Sequence, residues 1–310
     1  MNSKNNPKLT NYKEGFVQKG REKPIKSPLR YPGGKSKAVK RILLLITEYE
    51  EYREPMVGGG SVFFALKQKY PDKKYWINDK NKDLAYFWKA CKSQPNELVE
   101  TIMKLRGMFV KGKRLKNAEG RALYYYLMSN KENLTRLERA ARFFILNRIT
   151  FSGLVESGGF SKQAFKKRFT PSSIERILKA STILQGVKIT NMDYKKLVNK
   201  ADKDTFLFLD PPYMSNAEAK LYGEKGRLHE NFRHKRFAET IEKCHGKYLI
   251  TYDDCSGIQK LYTFANAIEL KIEGWKLQYG TNNGTENKKN KTASIGKELF
   301  IFNYEVKADK

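Results

Sequence analysis

The chain has 310 residues, of which 61 are Lys or Arg against 33 Asp or Glu, a formal balance of +28. Hydrophobic residues at 40% and aromatics at 13% exclude a wholly disordered chain and supply a sizeable core, in one large domain or two unequal ones. The longest apolar runs, such as Ile42 to Ile46, are too short to cross a bilayer, and the first residues form no apolar secretory segment. Three cysteines (Cys91, Cys244, Cys255) with no CxxC pair argue against a disulfide framework or a cysteine zinc site and fit a reducing cytoplasm. The histidines His229, His234 and His245 lack metal spacing, so no metal is expected. Charge of this size attracts polyanions, so nucleic acid is the expected partner, ahead of a plain lysine-rich surface. No long basic amphipathic helix points to a membrane.

In chain order, residues 1 to 26 read as a basic, flexible arm. Val39 to Tyr49 predicts a helix, Tyr52 to Val57 a strand feeding a glycine loop, Ser61 to Gln68 the next helix, and Lys74 to Asn78 a second strand. Strand, glycine turn, helix, strand is the βαβ signature of a doubly wound sheet. Residues 87 to 185 turn helical in pattern, as in Leu123 to Met128 and Leu137 to Leu146, and carry dense basic residues and a glycine-rich stretch from Phe151 to Phe169. They read as an inserted module within a sheet domain made of residues 27 to 86 and 186 to 310. Strands resume at Val187 to Thr190, Thr205 to Leu209, Tyr248 to Thr251, Ala267 to Ile272 and Glu298 to Tyr304, with a helix at His234 to Cys244 and a polar loop at Asn282 to Ser294.

The sharpest motif is Asp210-Pro211-Pro212-Tyr213, directly after the apolar strand Phe206 to Leu209. A carboxylate at the carboxyl end of a parallel strand sits where such sheets bind ligands. Two prolines stiffen the turn and remove backbone donors, leaving carbonyl oxygens to accept. Acceptor carboxylate, rigid carbonyl and the flat face of Tyr213 suit a planar ring carrying an exocyclic amine. The loop Glu54-Pro55-Met56-Val57-Gly58-Gly59-Gly60-Ser61 lets the backbone approach a ligand closely, but Phe63 breaks the dinucleotide fingerprint. Asp79 ends the next strand and suits a ribose, or a helix N-cap. Asp193, after the strand around Ile189, suits an adenine amine, or again an N-cap. Pro32-Gly33-Gly34-Lys35-Ser36 is no P-loop, because Leu29 stands where glycine is required; nucleotide hydrolysis is excluded, and Lys35 reads as a cation on a turn that could meet a carboxylate.

Together these segments resemble the Dam-type, D12-class DNA adenine-N6 methyltransferases over roughly residues 27 to 304. The likeness rests on Leu29 to Lys35, Glu54 to Phe63, Ile77-Asn78-Asp79, Leu146-Asn147-Arg148 with Phe151-Ser152-Gly153-Leu154, the Asp-Pro-Pro-Tyr, and Lys297 to Ile301, in the order of the alpha group. The resemblance implies a class I S-adenosylmethionine-dependent methyltransferase fold, Rossmann-like with a mostly parallel sheet, and a helical target-recognition insert carrying a β-hairpin. It implies S-adenosylmethionine as cofactor, S-adenosylhomocysteine as product, and double-stranded DNA as substrate. Tyr31, Gly33 and Lys35 would hold the methionine part. The loop with Glu54, Met56, Gly58, Gly60 and Ser61 would pass beneath the cofactor, Asp79 would meet its ribose, and Asp193 with Tyr194 its adenine. Asp210 and the Pro211 carbonyl would accept from the target N6 amine, with Pro212 stiffening the turn and Tyr213 stacking on the flipped base.

Asn147, Arg148, Phe151, Glu156, Ser157, Lys162, Lys166, Lys167 and Arg168 would face DNA, with a recognition hairpin turning at Gly158-Gly159. In GATC-methylating relatives an arginine that reads guanine follows the hairpin's Gly-Leu by two positions. Here that position is Glu156, which would accept from cytosine N4 instead, so the target is expected not to be GATC. Met214 to Leu228 lacks the family's usual aromatic pattern. The resemblance also admits a place in a restriction-modification system, a cytoplasmic, nucleoid-associated protein, and a monomer in solution. Other readings are cytosine-N4 methylation, methylation of RNA or a protein glutamine, and a catalytically silent DNA-binding protein on the same scaffold.

Overall fold

The computed structural model describes residues 24–112, 115–214, 232–253, 255–266, 273–278 and 295–305. Arm residues 1–23, the expected strand at 267–272, the loop at 282–294 and most of the stretch after Tyr213 lie outside the described residues. At the arm's end Ile25 is already fastened: its N–H donates to Gln68 Oε1 at 2.8 Å, and Gln68 Nε2 donates back to its carbonyl at 2.9 Å.

Helix α1 (Val39–Leu45), strand β1 (Glu51–Glu54), α2 (Ser61–Lys69) and β2 (Lys74–Asn78) form the first half of the sheet layer. The expected first helix stops at Leu45 because Ile46 turns extended (φ −83°, ψ 118°). The first strand stops at Glu54 because Pro55 has no N–H to give a ladder. Six helices then run before the sheet resumes: α3 (Lys82–Ser93), α4 (Pro95–Phe109), α5 (Asn117–Ser129), α6 (Arg136–Ile149), α7 (Lys162–Arg168) and α8 (Pro171–Ile183). After them come β3 (Lys188–Thr190), α9 (Lys195–Val198), β4 (Thr205–Leu209), α10 (His234–Glu242), β5 (Lys247–Asp253), α11 (Ser256–Leu261), α12 (Thr263–Asn266), β6 (Glu273–Gln278) and β7 (Ile295–Phe302).

The strands make one seven-stranded sheet in the order β3-β2-β1-β4-β5-β7-β6. Strands β1 to β5 pair in parallel; β7 runs antiparallel to both β5 and β6. This is the Rossmann-like, mostly parallel arrangement expected. Strand β4 is buried along its whole length and serves two cores. Phe206 and Phe208 point into the core shared with the helices, while Leu207 and Leu209 point into the other, with Phe237, Ile250 and Ile258. Period-two alternation of a fully apolar run distributes it over both faces of a covered sheet. No helix among the described residues is long and apolar enough to cross a membrane.

Helix α6 is the hub of the helical part. It opens with a capping box: Thr135 Oγ1 accepts from the Glu138 N–H at 3.2 Å and Glu138 Oε2 accepts from the Thr135 N–H at 2.9 Å. Every residue from Ala140 to Ile149 is buried, as befits a helix packed on all sides.

The expected β-hairpin after α6 shrinks to a single antiparallel bridge, Thr150 to Phe160. A 3-10 turn (Phe151–Gly153) and a second turn, in which the Gly158 N–H donates to the Leu154 carbonyl at 3.1 Å, fill the space between. Gly158-Gly159 therefore sits at the base of the loop and not at its tip. The cause is the next residue pair in line: Ser161 caps α7 by accepting from the Ala164 N–H at 3.2 Å, so helix begins where a returning strand would run.

Candidate active site

Strand order reverses between β1 and β4, and a parallel sheet opens a crevice for ligands at such a switch point. A cavity of about 700 Å³ lies there. The carboxyl end of β1 supplies its floor through Glu54, Met56, Gly58, Gly60 and Ser61; β2 supplies Asp79; the segment after β3 supplies Asp193 and Tyr194; β4 supplies Asp210 and Pro212; and the turn before α1 supplies Tyr31 and Lys35. Gly33 is not part of the lining, but its carbonyl accepts from Lys35 Nζ at 2.9 Å.

The glycine loop is shaped by Tyr31. Gly58 and Gly60 hold positive φ (46° and 66°), and a Cβ at Gly58 would stand 2.7 Å from the Tyr31 ring. A Cβ at Gly59 would stand 2.8 Å from that of Tyr31. The close approach that glycine permits is thus first to an aromatic wall of the cavity. Asp79 ties the loop to the next strand: Oδ2 accepts from the Gly58 N–H at 3.0 Å and Oδ1 from the Asn81 N–H at 2.9 Å. The N-cap of α3 is Asn81, which leaves Asp79 for the cavity. Burial lifts Asp79 to about 6. Asp193 is not the N-cap of α9, which is Tyr194; its Oδ1 accepts from the Lys195 N–H at 3.1 Å in a local turn, with Lys80 Nζ 3.9 Å from its other oxygen. Tyr194 packs on Phe232 and Phe237.

Asp210 lines the cavity at the carboxyl end of β4. Its Oδ1 accepts from Lys35 Nζ at 2.6 Å and from Thr251 Oγ1 at 2.7 Å. Lys35 is only 5% exposed, and its ammonium also lies 5.0 Å from the centre of the Tyr213 ring. The cation on the turn meets a carboxylate, then, but one of the protein's own. Tyr213 rests against Tyr252, whose hydroxyl lies 2.8 Å from His234 Nδ1. Pro211 is buried and outside the lining.

The profile of D12 class N6 adenine-specific DNA methyltransferases matches residues 31–273. The chain belongs to this family. It is 31% identical over 204 residues to Type II methyltransferase M.MjaIII of Methanocaldococcus jannaschii, covering 61% of this chain and 69% of that one. It is 27% identical to the DNA adenine methylase of Vibrio cholerae (78% and 87% covered) and 25% identical to that of Escherichia coli K12 (84% and 91% covered).

The DNA-facing expectations for this D12 methyltransferase divide in two. Lys162, Lys166, Lys167 and Arg168 are exposed on α7, Ser157 is exposed beside them in sequence, and Phe151 is 59% exposed next to Ser152, a non-glycine residue at φ 51°. The others are turned inward. Asn147 is fully buried and latches two loops: its Oδ1 accepts from the Arg30 N–H at 2.9 Å and its Nδ2 donates to the Gly153 carbonyl at 3.2 Å. Arg148 is 3% exposed, stacks on Phe144, and keeps Nε and Nη2 without a hydrogen-bond partner among the described residues. Arg176, Arg30 and Arg168 surround it and, after burial, press its pKa down to about 9. Glu156 does not point a free carboxylate outward: its Oε1 accepts from Arg142 Nη1 at 3.2 Å.

Several residues that the fold brings to the site went unread in the sequence, Lys80, Met192 and Lys195 among them. Phe232, Arg233 and Arg236, around the start of α10, line the cavity, and Thr251 holds Asp210. The basic residues at the start of the predicted His234 helix were a signal for Arg233 and Arg236; Phe232 and Thr251 carried none.

Glu54 is buried beneath the cavity, accepting from the Tyr52 hydroxyl at 2.7 Å and the Phe63 N–H at 3.1 Å. Burial, reinforced by the charges of Asp210 and Asp79, raises it from 4.5 to about 8. A carboxyl that binds its proton more tightly when folded contributes fully below its unfolded value and loses that contribution as pH climbs through the folded one. Stability should therefore fall by up to about 1.4 kcal/mol per pH unit across that window. Glu54→Gln cannot ionise, so its melting temperature should gain on wild type steadily from pH 5 to pH 9. Parallel melting curves over that range would contradict the assignment.

Proposed function

We propose that this enzyme transfers a methyl group from S-adenosylmethionine to the N6 amine of an adenine flipped out of double-stranded DNA, at a site other than GATC. The observation that carries the reading is Asp210, in the lining of the cavity, with Oδ1 taken by Lys35 and Thr251 and Oδ2 turned to no donor among the described residues.

The cavity fits the cofactor. Its volume is that of a nucleoside-sized ligand site. The Asp79 carboxylate suits ribose hydroxyls, the rings of Tyr194 and Phe232 suit an adenine face, and the Tyr31 side, with its glycine loop, is left for the methionine part. When bound, S-adenosylmethionine supplies an electrophilic methyl on a sulfonium. The chain's own part is done on the amine. An adenine amine is a poor nucleophile because its lone pair is delocalised into the ring. Asp210 Oδ2 accepts one of its hydrogens, which favours a pyramidal nitrogen with its lone pair free, and after transfer the same carboxylate takes the proton that the methylated nitrogen sheds and passes it to solvent. A fixed acceptor acts by position and electrostatics, with no covalent enzyme intermediate. Tyr213 offers its ring to the base, since an amine inside a duplex is out of reach.

The helices between β2 and β3 are proposed to read DNA. The exposed lysines and arginine of α7 supply salt-sensitive phosphate contacts, with Phe151 beside them. GATC is disfavoured because the position of the guanine-reading arginine is Glu156, and its carboxylate is committed to Arg142. A DNA substrate puts its work in the cytoplasm with the nucleoid. Relatives named Type II methyltransferases, M.MjaIII among them, support membership of a modification system.

The test is incubation of unmethylated plasmid with methyl-labelled S-adenosylmethionine, digestion to nucleosides, and mapping of the methylated sites. Label in N6-methyladenine outside GATC is expected. Label in N4-methylcytosine would overturn the base, methylation confined to GATC would overturn the site, and no label with DNA binding intact would favour a silent scaffold.

A further inference from the structure

A carboxylate at the end of a strand is ordinarily steadied by the amide hydrogens of the residues that follow. Asp210 is followed by Pro211 and Pro212, which have none. Its orientation must come from other parts of the fold. Lys35 provides one contact, but an ammonium on a flexible stem is a point charge whose donors rotate freely, and this one is shared with the Gly33 carbonyl.

The second contact is of a different kind. Thr251 is fully buried in β5, with β4 on one side and β7 on the other. Leu209 lies opposite Ile250 in the parallel register, so the next residue in each strand puts Thr251 across from Asp210. A β-branched side chain in a strand has little freedom at χ1, so its hydroxyl is aimed by the sheet itself. It donates to Asp210 Oδ1 at 2.7 Å, the oxygen Lys35 also uses. A fully buried hydroxyl is costly without a partner, and the carboxylate is the partner this one has.

We propose that Thr251 is a positioning residue for methyl transfer: it pins one oxygen of Asp210 so that the other faces the target amine. This rests on the reading of Asp210 as the acceptor for that amine. Thr251 adds direction without neutralising the carboxylate, and it does so from a strand that cannot follow the movements of the Lys35 side chain.

The experiment uses the full-length enzyme with DNA and S-adenosylmethionine at saturation, in single turnover. Thr251→Val keeps the shape and removes the hydroxyl; Thr251→Ser keeps the hydroxyl and removes the methyl. Thr251→Val should slow transfer about 10- to 100-fold, with affinities for cofactor and DNA within about twofold of wild type, because a small misplacement of a reacting partner costs rate and not binding. Thr251→Ser should restore the rate to within about threefold. A wild-type rate in Thr251→Val would overturn the proposal. So would a Thr251→Ser variant as slow as Thr251→Val, since packing of the methyl would then be the requirement. If Thr251→Val does not fold, a Thr251→Ala variant with wild-type rate overturns it equally. Asp210→Asn is measured alongside. If it is inactive and Thr251→Val is not impaired, only the role of Thr251 fails; if Asp210→Asn stays active, the reading of Asp210 fails and takes this one with it.

Discussion

Asp210→Asn is expected to lower the rate of methyl transfer by a factor on the order of 10² to 10³, the loss typical when one preorganised polar group is removed from a reaction centre. Cofactor affinity should change little, whereas the melting temperature should fall, because the buried Lys35 ammonium loses its charged partner. The reason lies in what surrounds the two oxygens. Lys35 and Thr251 both donate to Oδ1, so the asparagine oxygen must turn to them. That leaves the amide nitrogen, a donor, facing the target amine, which also needs to donate. The substitution thus replaces an attraction with a clash of like dipoles at the one place where the reacting nitrogen has to be held. Single-turnover transfer of label, with calorimetry of S-adenosylmethionine binding on the same preparation, separates the two effects. Activity within tenfold of wild type would mean that Asp210 does not accept from the substrate.

Arg142→Met is expected to destabilise the fold by about 3 kcal/mol, near the cost of removing one partner from a buried ion pair. Arg142 sits in the middle of α6 and is 2% exposed. Its Nη1 lies 3.2 Å from Glu156 Oε1 and 3.8 Å from Asp83 Oδ2, and its Nε donates to the Leu127 carbonyl at 2.6 Å. Methionine fills most of the volume, so the loss is electrostatic: two largely buried carboxylates and a carbonyl lose their common donor. Arg139 still pairs with Asp83, so Glu156 bears most of the change. Adding Glu156→Gln to Arg142→Met should therefore recover about 1 kcal/mol, the coupling expected of directly paired neighbours. Denaturant unfolding of the two single variants and the double measures it. A loss below about 1 kcal/mol in Arg142→Met would show that the guanidinium is not needed there.

What could be read from sequence was what neighbouring residues decide. Lys74–Asn78 and Thr205–Leu209 are found at their predicted bounds, because a short apolar run between turn residues leaves little choice. Glu273–Gln278 was not anticipated: it carries charged and polar residues, and among the described residues it is an edge strand paired with β7. The glycine loop, Asp79 and Asp210 were legible from their place after strands. What their side chains bond to was not. Lys35 reaches Asp210, Asn147 reaches Arg30, and Glu156 reaches Arg142 because the sheet and α6 bring distant stretches together. Asn147 and Glu156 looked like surface polar groups in a basic segment, and only the packing around them shows that they brace the interior.

The pairing of β1 with β4 has a consequence for how the chain is made. Strand β1 is among the first strands to leave the ribosome, yet its partner on that side comes only after all the helices from α3 to α8. Those helices pack on one another, α3 on α6 and on α8, and all of them are made before β4, so the helical body can close while the sheet's centre still waits for its partner. A nascent chain ending before Thr205 would carry a finished helical body beside a strand, Glu51–Glu54, whose backbone N–H and C=O groups are unpaired along one edge, the kind of surface that recruits chaperones or a second copy of itself. The sheet is thus the last part to be completed, and Asp210, one residue past β4, cannot be set in place before the strand that closes that edge.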